Sequence, residues 1–177
     1  MKKMCLRNGK EVIIREATQE DAQSMINFYN IVGGETDFLS FGKNEFSKPL
    51  HDYENFIEST KAATNSIILL ATLDDEIISI ASITSSSKER TKHVGTLGIV
   101  IAEKHCGFGL GIILMEELIE WARENGTTKK IHLVTREDND RAIELYKKVG
   151  FKEEGLLEQD TYINGKYYST LIMGLMF

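Results

Sequence analysis

Residues 94–111 read VGTLGIVIAEKHCGFGLG, and this stretch decides the fold. The apolar run from Leu97 to Ile101 predicts a strand, a short polar connection follows, and glycines then alternate at 107, 109 and 111. Behind them an amphipathic helix begins, with Gly111, Leu114, Met115, Leu118, Trp121 and Ala122 on one face. A strand that feeds a glycine turn at a helix N-terminus is a physical device for holding phosphate. Without side chains the backbone can approach a ligand closely, and the first helical N–H groups have no carbonyl partner. The helix dipole adds partial positive charge at the same place. A dinucleotide turn does not fit, because G-x-G-x-x-G needs glycine where Ile112 stands and too little chain follows. Nor does a P-loop, which needs Gly-Lys-Ser/Thr after four intervening residues. A tight turn with no ligand is the structural alternative.

Upstream, Val12–Ala17 reads as a strand and Thr18 opens a helix, with Asp21 as the acidic partner of a capping box. Gly33-Gly34 stop that helix, 35–48 is a long loop, and Pro49 opens a second helix that runs to about residue 63. Apolar runs at 66–73 and 76–84 flank Asp74-Asp75, a hairpin signal. Downstream, the helix after the glycines stops near Asn125-Gly126, and Ile131–Thr135 is a short buried strand. Asn139 or Asp140 caps a last helix carrying Ala142, Leu145, Tyr146 and Val149 in register, with Gly150 just past its end. Two closing strands, 151–158 and 166–176, meet at the turn signal Asn164-Gly165. The predicted order is β-α-α-β-β-β-α-β-α-β-β, a mixed α/β (α+β) fold whose sheet starts antiparallel.

The 177 residues suit one domain, with 42% hydrophobic and 27% charged side chains. A formal net charge of −6 with no basic stripe argues against nucleic acid. The apolar runs are too short to span a membrane, and MKKMCLRNGKEV is not a signal peptide. Cys5 and Cys106 give no disulfide framework, so a soluble cytoplasmic protein is expected. The four histidines show no metal-ligand spacing, and no metal is expected.

Strand, turn and helix together resemble the acetyl-CoA-binding motif of the GNAT superfamily of N-acetyltransferases, Gln/Arg-x-x-Gly-x-Gly/Ala, with Cys106, Gly109 and Gly111 in its three places. The stretch from Asn139 to Gly155, NDRAIELYKKVGFKEEG, is similar to the second cofactor motif of that family. The likeness covers nearly the whole chain and implies a GNAT-like, mostly antiparallel twisted sheet flanked by helices. One departure stands out: Cys106 occupies the place of Gln or Arg, with Lys104 and His105 as nearby polar substitutes. A small residue that fits the turn is the preferred reading of Cys106 over a reactive thiol.

The resemblance implies acetyl-CoA as co-substrate and an amine as acceptor, with no metal, and it leaves homodimer formation open. Ile99, Val100 and Ile101 are expected to line the thioester and pantetheine through backbone atoms. Cys106 holds the first place of the cofactor-binding motif, and the backbone donors of Gly107, Phe108, Gly109, Leu110 and Gly111 are expected at the phosphates. Asn139 is expected to hydrogen-bond the pantetheine arm, Ala142 is expected among the cofactor-binding residues, and Tyr146 is the expected acid for the leaving thiolate. Read without the resemblance, Asn139 is an ordinary helix cap and Tyr146 a core residue whose hydroxyl needs a partner. Cations between Lys129 and Lys152 suit an anionic cofactor, as would a solvated helix face. For the acceptor, the expected walls are 28–42 and 159–169, which carry Phe38, Phe41, Tyr162, Tyr167 and Tyr168. Glu35 is the expected group that attracts the cationic amine, Asp37 is the alternative, and His93 is a weaker candidate base. A non-catalytic acyl-CoA-binding domain on the same fold is the competing functional class.

Overall fold

The computed structural model describes residues 1–177. One sheet of eight strands runs through it, in the order β1-β2-β3-β4-β5-β6-β8-β7. The strands are β1 (Lys2–Cys5), β2 (Glu11–Glu16), β3 (Ile67–Leu73), β4 (Glu76–Ser85), β5 (Val94–Ile101), β6 (Lys130–Arg136), β7 (Lys152–Ile163) and β8 (Lys166–Met176). The helices are α1 (Ala22–Val32), α2 (Leu50–Ala62), α3 (Leu110–Glu124) and α4 (Asp140–Lys148). Every neighbouring pair is antiparallel except β5 and β6. The expected mixed fold and element order are therefore present, with one strand added at the start.

The added strand is β1. It pairs antiparallel with β2, Lys2 opposite Ile14 and Cys5 opposite Glu11. The turn between them holds Asn8-Gly9, with Gly9 at φ +80° and the Asn8 carboxamide accepting from the Lys10 N–H at 3.2 Å. An Asn-Gly turn between short strands is a hairpin signal in its own right. Here it is easily passed over, because β1 carries two lysines and little apolar alternation. Asp74-Asp75 and Asn164-Gly165 make the expected turns, all four residues having positive φ. At the other end, β7 runs well past residue 158. A register irregularity between Leu157 and Thr161, with Gln159 at φ +53°, lets the strand resume along β8.

Two cores form on the two faces of the sheet. α3 and α4 cover one, where Leu114, Met115 and Leu118 meet Leu69, Ile83, Ile131 and Met173. α1 and α2 cover the other, where Met25, Phe28 and Ile57 meet Ile68, Leu70 and Ile80. β3 is buried on both faces, which is why IILLATL is apolar without alternation. The 35–48 loop is held down by Asn30, whose side chain bonds both the Phe46 N–H at 3.1 Å and its carbonyl at 3.2 Å. A Cβ on Gly33 would collide with the Gly42 carbonyl, so this glycine lets the loop fold back onto the end of α1. No helix is long and apolar enough to cross a membrane.

Candidate active site

β5 and β6 pair only over Val94–Thr96 with Lys130–His132. Beyond that β5 continues to Ile101 and β6 to Arg136 without pairing, so the two strands separate. Along β5 the backbone groups alternate in direction. Ala102 donates to the Ile78 carbonyl at 3.0 Å, so even-numbered residues turn toward β4. The N–H groups of Ile99 and Ile101 consequently face the split. Their side chains pack toward α3 and α4, while Val100 packs toward α1 and α2.

A cavity of about 490 Å³ reaches this open edge. It brings together most of the residues expected from the sequence: Ile99, Val100, Ile101, Cys106, Gly107, Gly109, Gly111, Asn139, Ala142, Tyr146 and Glu35. Phe108 and Leu110 are not on its wall. Leu110 is a core residue and Phe108 packs against the same core, so only their backbone can take part.

At one end is the glycine turn. Gly107 and Gly109 have φ of +91° and +93°, conformations that side chains rarely adopt. Gly111 serves a different purpose: a Cβ there would lie 3.0 Å from Leu145 and 3.4 Å from Ile101, so its absence lets α3 close on α4 and β5. No backbone carbonyl accepts from the N–H groups of Gly107, Phe108 or Gly109. The Cys106 thiol is half-buried, 3.7 Å from the Ile101 carbonyl, and burial pushes its pKa up. It is thus a poor nucleophile, in keeping with the small-residue reading.

Two arginines flank this turn. The position of a Cβ on Gly107 is 3.4 Å from Arg141 Nη2, and that of a Cβ on Gly109 is 3.5 Å from Arg7 Nε. Both line the cavity, and neither makes an ion pair or a side-chain hydrogen bond within the protein. Arg7 has no counterpart among the residues expected from the sequence, and only the Asn8-Gly9 turn could have drawn attention to it. Of the wider cation cluster, Lys130 pairs with Glu154, Arg136 with Asp138 and Lys147 with Glu153, while Lys148 is unpaired and also lines the cavity.

The cavity wall also holds Tyr146. It is 7% exposed, and its ring packs 6.1 Å from that of Phe151. Burial pushes its pKa up to about 12. Its hydroxyl has no hydrogen-bond partner in the protein, while the residue lines the cavity. Asn139 caps α4, accepting from the Ala142 N–H at 3.4 Å and donating to Thr135 Oγ1 at 3.2 Å.

Glu35, Thr36, Phe38 and Leu39 contribute a further stretch of the wall. The Glu35 carboxylate accepts from the Glu103 N–H at 2.8 Å, tying the start of the loop to the end of β5. The other acceptor-side candidates lie elsewhere. Asp37 is exposed and its carbonyl accepts from Arg136. His93 precedes β5 at the opposite end from Ile101 and is exposed, its carbonyl accepting from Lys129 and Lys130. Tyr162 and Tyr167 meet as a tilted ring pair at the exposed hairpin tip, and no residue of 159–169 is on the cavity wall. Lys104 and His105 also miss the cavity; His105 is buried, and burial holds its pKa down.

Comparison with known proteins identifies the family and the fold. Residues 35–151 match the model of the acetyltransferase (GNAT) family. A GNAT-family acetyltransferase from Streptococcus pneumoniae is 36% identical, with a TM-score of 0.91 over 94% of this chain and 99% of that one. The L-amino acid N-acetyltransferase AaaT of Escherichia coli is 30% identical over 105 residues, which is 59% of this chain. The matched part spans 65% of AaaT, less than two thirds of that enzyme. The yncA structure from Salmonella typhimurium, solved with its cofactor acetyl-CoA, has the same fold, with a TM-score of 0.80 and 19% identity over 93% of each chain. With a family model that runs from Glu35 to Phe151 and a solved relative that matches more than a third of the residues, the chain belongs to the acetyltransferase (GNAT) family.

Proposed function

We propose that this protein is an acetyl-CoA-dependent N-acetyltransferase, one domain over residues 1–177, that acetylates a primary amine by direct attack within a ternary complex. The observation that carries it is the convergence on one cleft of an unpartnered tyrosine hydroxyl, the open backbone edge of β5 and the glycine turn. These groups fit the cofactor: unpaired N–H donors and two unpaired arginines suit phosphates, and the split between β5 and β6 exposes backbone to an amide-containing arm.

Acetyl-CoA supplies a thioester whose carbonyl carbon accepts the amine nitrogen and whose sulfur leaves as thiolate. The chain supplies three things. N–H groups of Ile99 and Ile101 offer hydrogen bonds where negative charge develops on the carbonyl oxygen. Tyr146, protonated at neutral pH, donates toward the leaving sulfur. The low-dielectric wall that raises the tyrosine also raises the basicity of a thiolate beside it, which narrows the mismatch between donor and acceptor. Glu35 attracts the ammonium form of the acceptor and takes its proton, directly or through water, and the second proton, lost from nitrogen as the tetrahedral centre collapses, restores the Tyr146 hydroxyl.

The acceptor is accordingly a cationic primary amine, borne by an amino acid, a polyamine, an amino sugar or a protein N-terminus. The test is thiol release from acetyl-CoA against a panel of those four classes. Amine-dependent release supports the reading. Tight acetyl-CoA binding without release on any amine favours the non-catalytic binding domain instead.

A further inference from the structure

The motif departs from its family pattern at residue 106, where a neutral, half-buried thiol turned toward the Ile101 carbonyl replaces Gln or Arg. What stands over the turn instead is Arg7. Its Nε, Cγ and Cδ lie 3.5, 3.7 and 3.8 Å from the position of a Gly109 Cβ. Its backbone N–H donates to the Phe108 carbonyl at 3.0 Å, so hairpin and glycine turn are joined directly. The hairpin is itself well fixed: Leu6 is buried, its N–H bonds the Lys10 carbonyl at 2.8 Å, and its carbonyl accepts from Gly9 at 2.9 Å. The guanidinium has no carboxylate partner, although the chain has 27 acidic residues and 21 basic ones. An unpaired fork of donors, lining a cavity beside backbone N–H groups with no acceptor, is an arrangement for an anion.

We propose that Arg7 is a pyrophosphate-binding cation of this protein, supplied from the β1–β2 hairpin to a turn whose residue 106 carries no charge. The proposal rests on the acetyl-CoA reading above. It gives β1, which contributes little to either core, a function: it presents Arg7 across the α3 N-terminus. Arg141 stands at Gly107, on the other flank of the turn, and belongs to the motif-like stretch; Arg7 is the contribution of a different part of the chain.

The test is calorimetric binding of CoA and of dephospho-CoA, which keeps the pyrophosphate but lacks the 3′-phosphate. Arg7 is exposed, so Arg7→Gln is not expected to disturb folding, and an unchanged melting temperature without ligand checks this. Arg7→Gln is expected to raise Kd about tenfold for both ligands, as loss of a charge-assisted fork implies, with Arg7→Lys in between. Unchanged CoA affinity in Arg7→Gln overturns the assignment, and so does a penalty that disappears with dephospho-CoA. Failure of the wild-type protein to bind either ligand overturns the cofactor reading itself, a distinguishable result.

Discussion

The guanidinium carbon of Arg136 stands 3.6 Å from the centre of the Tyr168 ring and 4.8 Å from that of Phe38. The same group pairs with Asp138 through Nε and Nη2, at 2.9 and 2.6 Å, and donates to the Asp37 carbonyl at 3.1 Å. One side chain at the end of β6 therefore joins the β7–β8 hairpin to the loop that carries Glu35. Arg136→Met keeps the length and loses the charge. Charge-assisted hydrogen bonds and cation–π contacts of this kind imply a loss of about 2–3 kcal/mol. For a chain of this size that is a fall in Tm of roughly 5–10 °C. KM for the amine is expected to rise while CoA affinity stays the same. An unchanged Tm, or an equal loss of CoA affinity, would rule out the role as loop clamp.

Tyr146→Phe keeps the ring against Phe151 and removes the hydroxyl. Acid–base groups typically contribute roughly 10²–10⁴-fold, so kcat is expected to fall by that order while Kd for acetyl-CoA is unchanged. The raised pKa, up to about 12, also has a definite sign. Burial disfavours the phenolate, so the proton stays on throughout the ordinary working range. The kcat profile of the wild type should then show no alkaline loss attributable to Tyr146 below about pH 10. A fully active Phe variant returns Tyr146 to the core alone.

Gly109→Val forces a β-branched residue to a φ of +93° and places its side chain against Arg7. Acetyl-CoA at a hundredfold excess over Kd stabilises a protein by about 2.7 kcal/mol if it binds only the folded state. The variant is expected to lose most of that thermal shift. A full shift in the variant, or stabilisation by NAD but not CoA, would contradict the reading of the turn.

Glu35→Gln is the informative change at the loop, because the amide oxygen can still accept from the Glu103 N–H. Stability is expected to change little, within roughly 0.5 kcal/mol, as for surface substitutions generally. kcat/KM for the amine is expected to fall about tenfold or more, with acetyl-CoA binding unaltered. Identical amine kinetics for the two proteins between about pH 6 and 9 would remove Glu35 and leave a water chain to take the proton.

Local order was legible in the residues themselves. The glycines at 107 and 109 and the turns at Asp74-Asp75 and Asn164-Gly165 all sit at positive φ, a demand that a few adjacent residues express on their own. The Asn139 cap and the apolar face of α3 are likewise set within one or two helical turns. What no window of sequence contains is the separation of β5 from β6, which arises where parallel pairing stops at Thr96–His132. The same holds for the meeting of Arg7 with Gly109, about a hundred residues away, and of Arg136 with Asp37 and Tyr168. It holds too for the exclusion of His93, which sits just before β5 at the end of that strand far from the site. Periodicity and turn chemistry act over a few residues. Which side chains face one another across a cleft depends on strand order and register, and these are decided by the burial of both faces of the sheet at once.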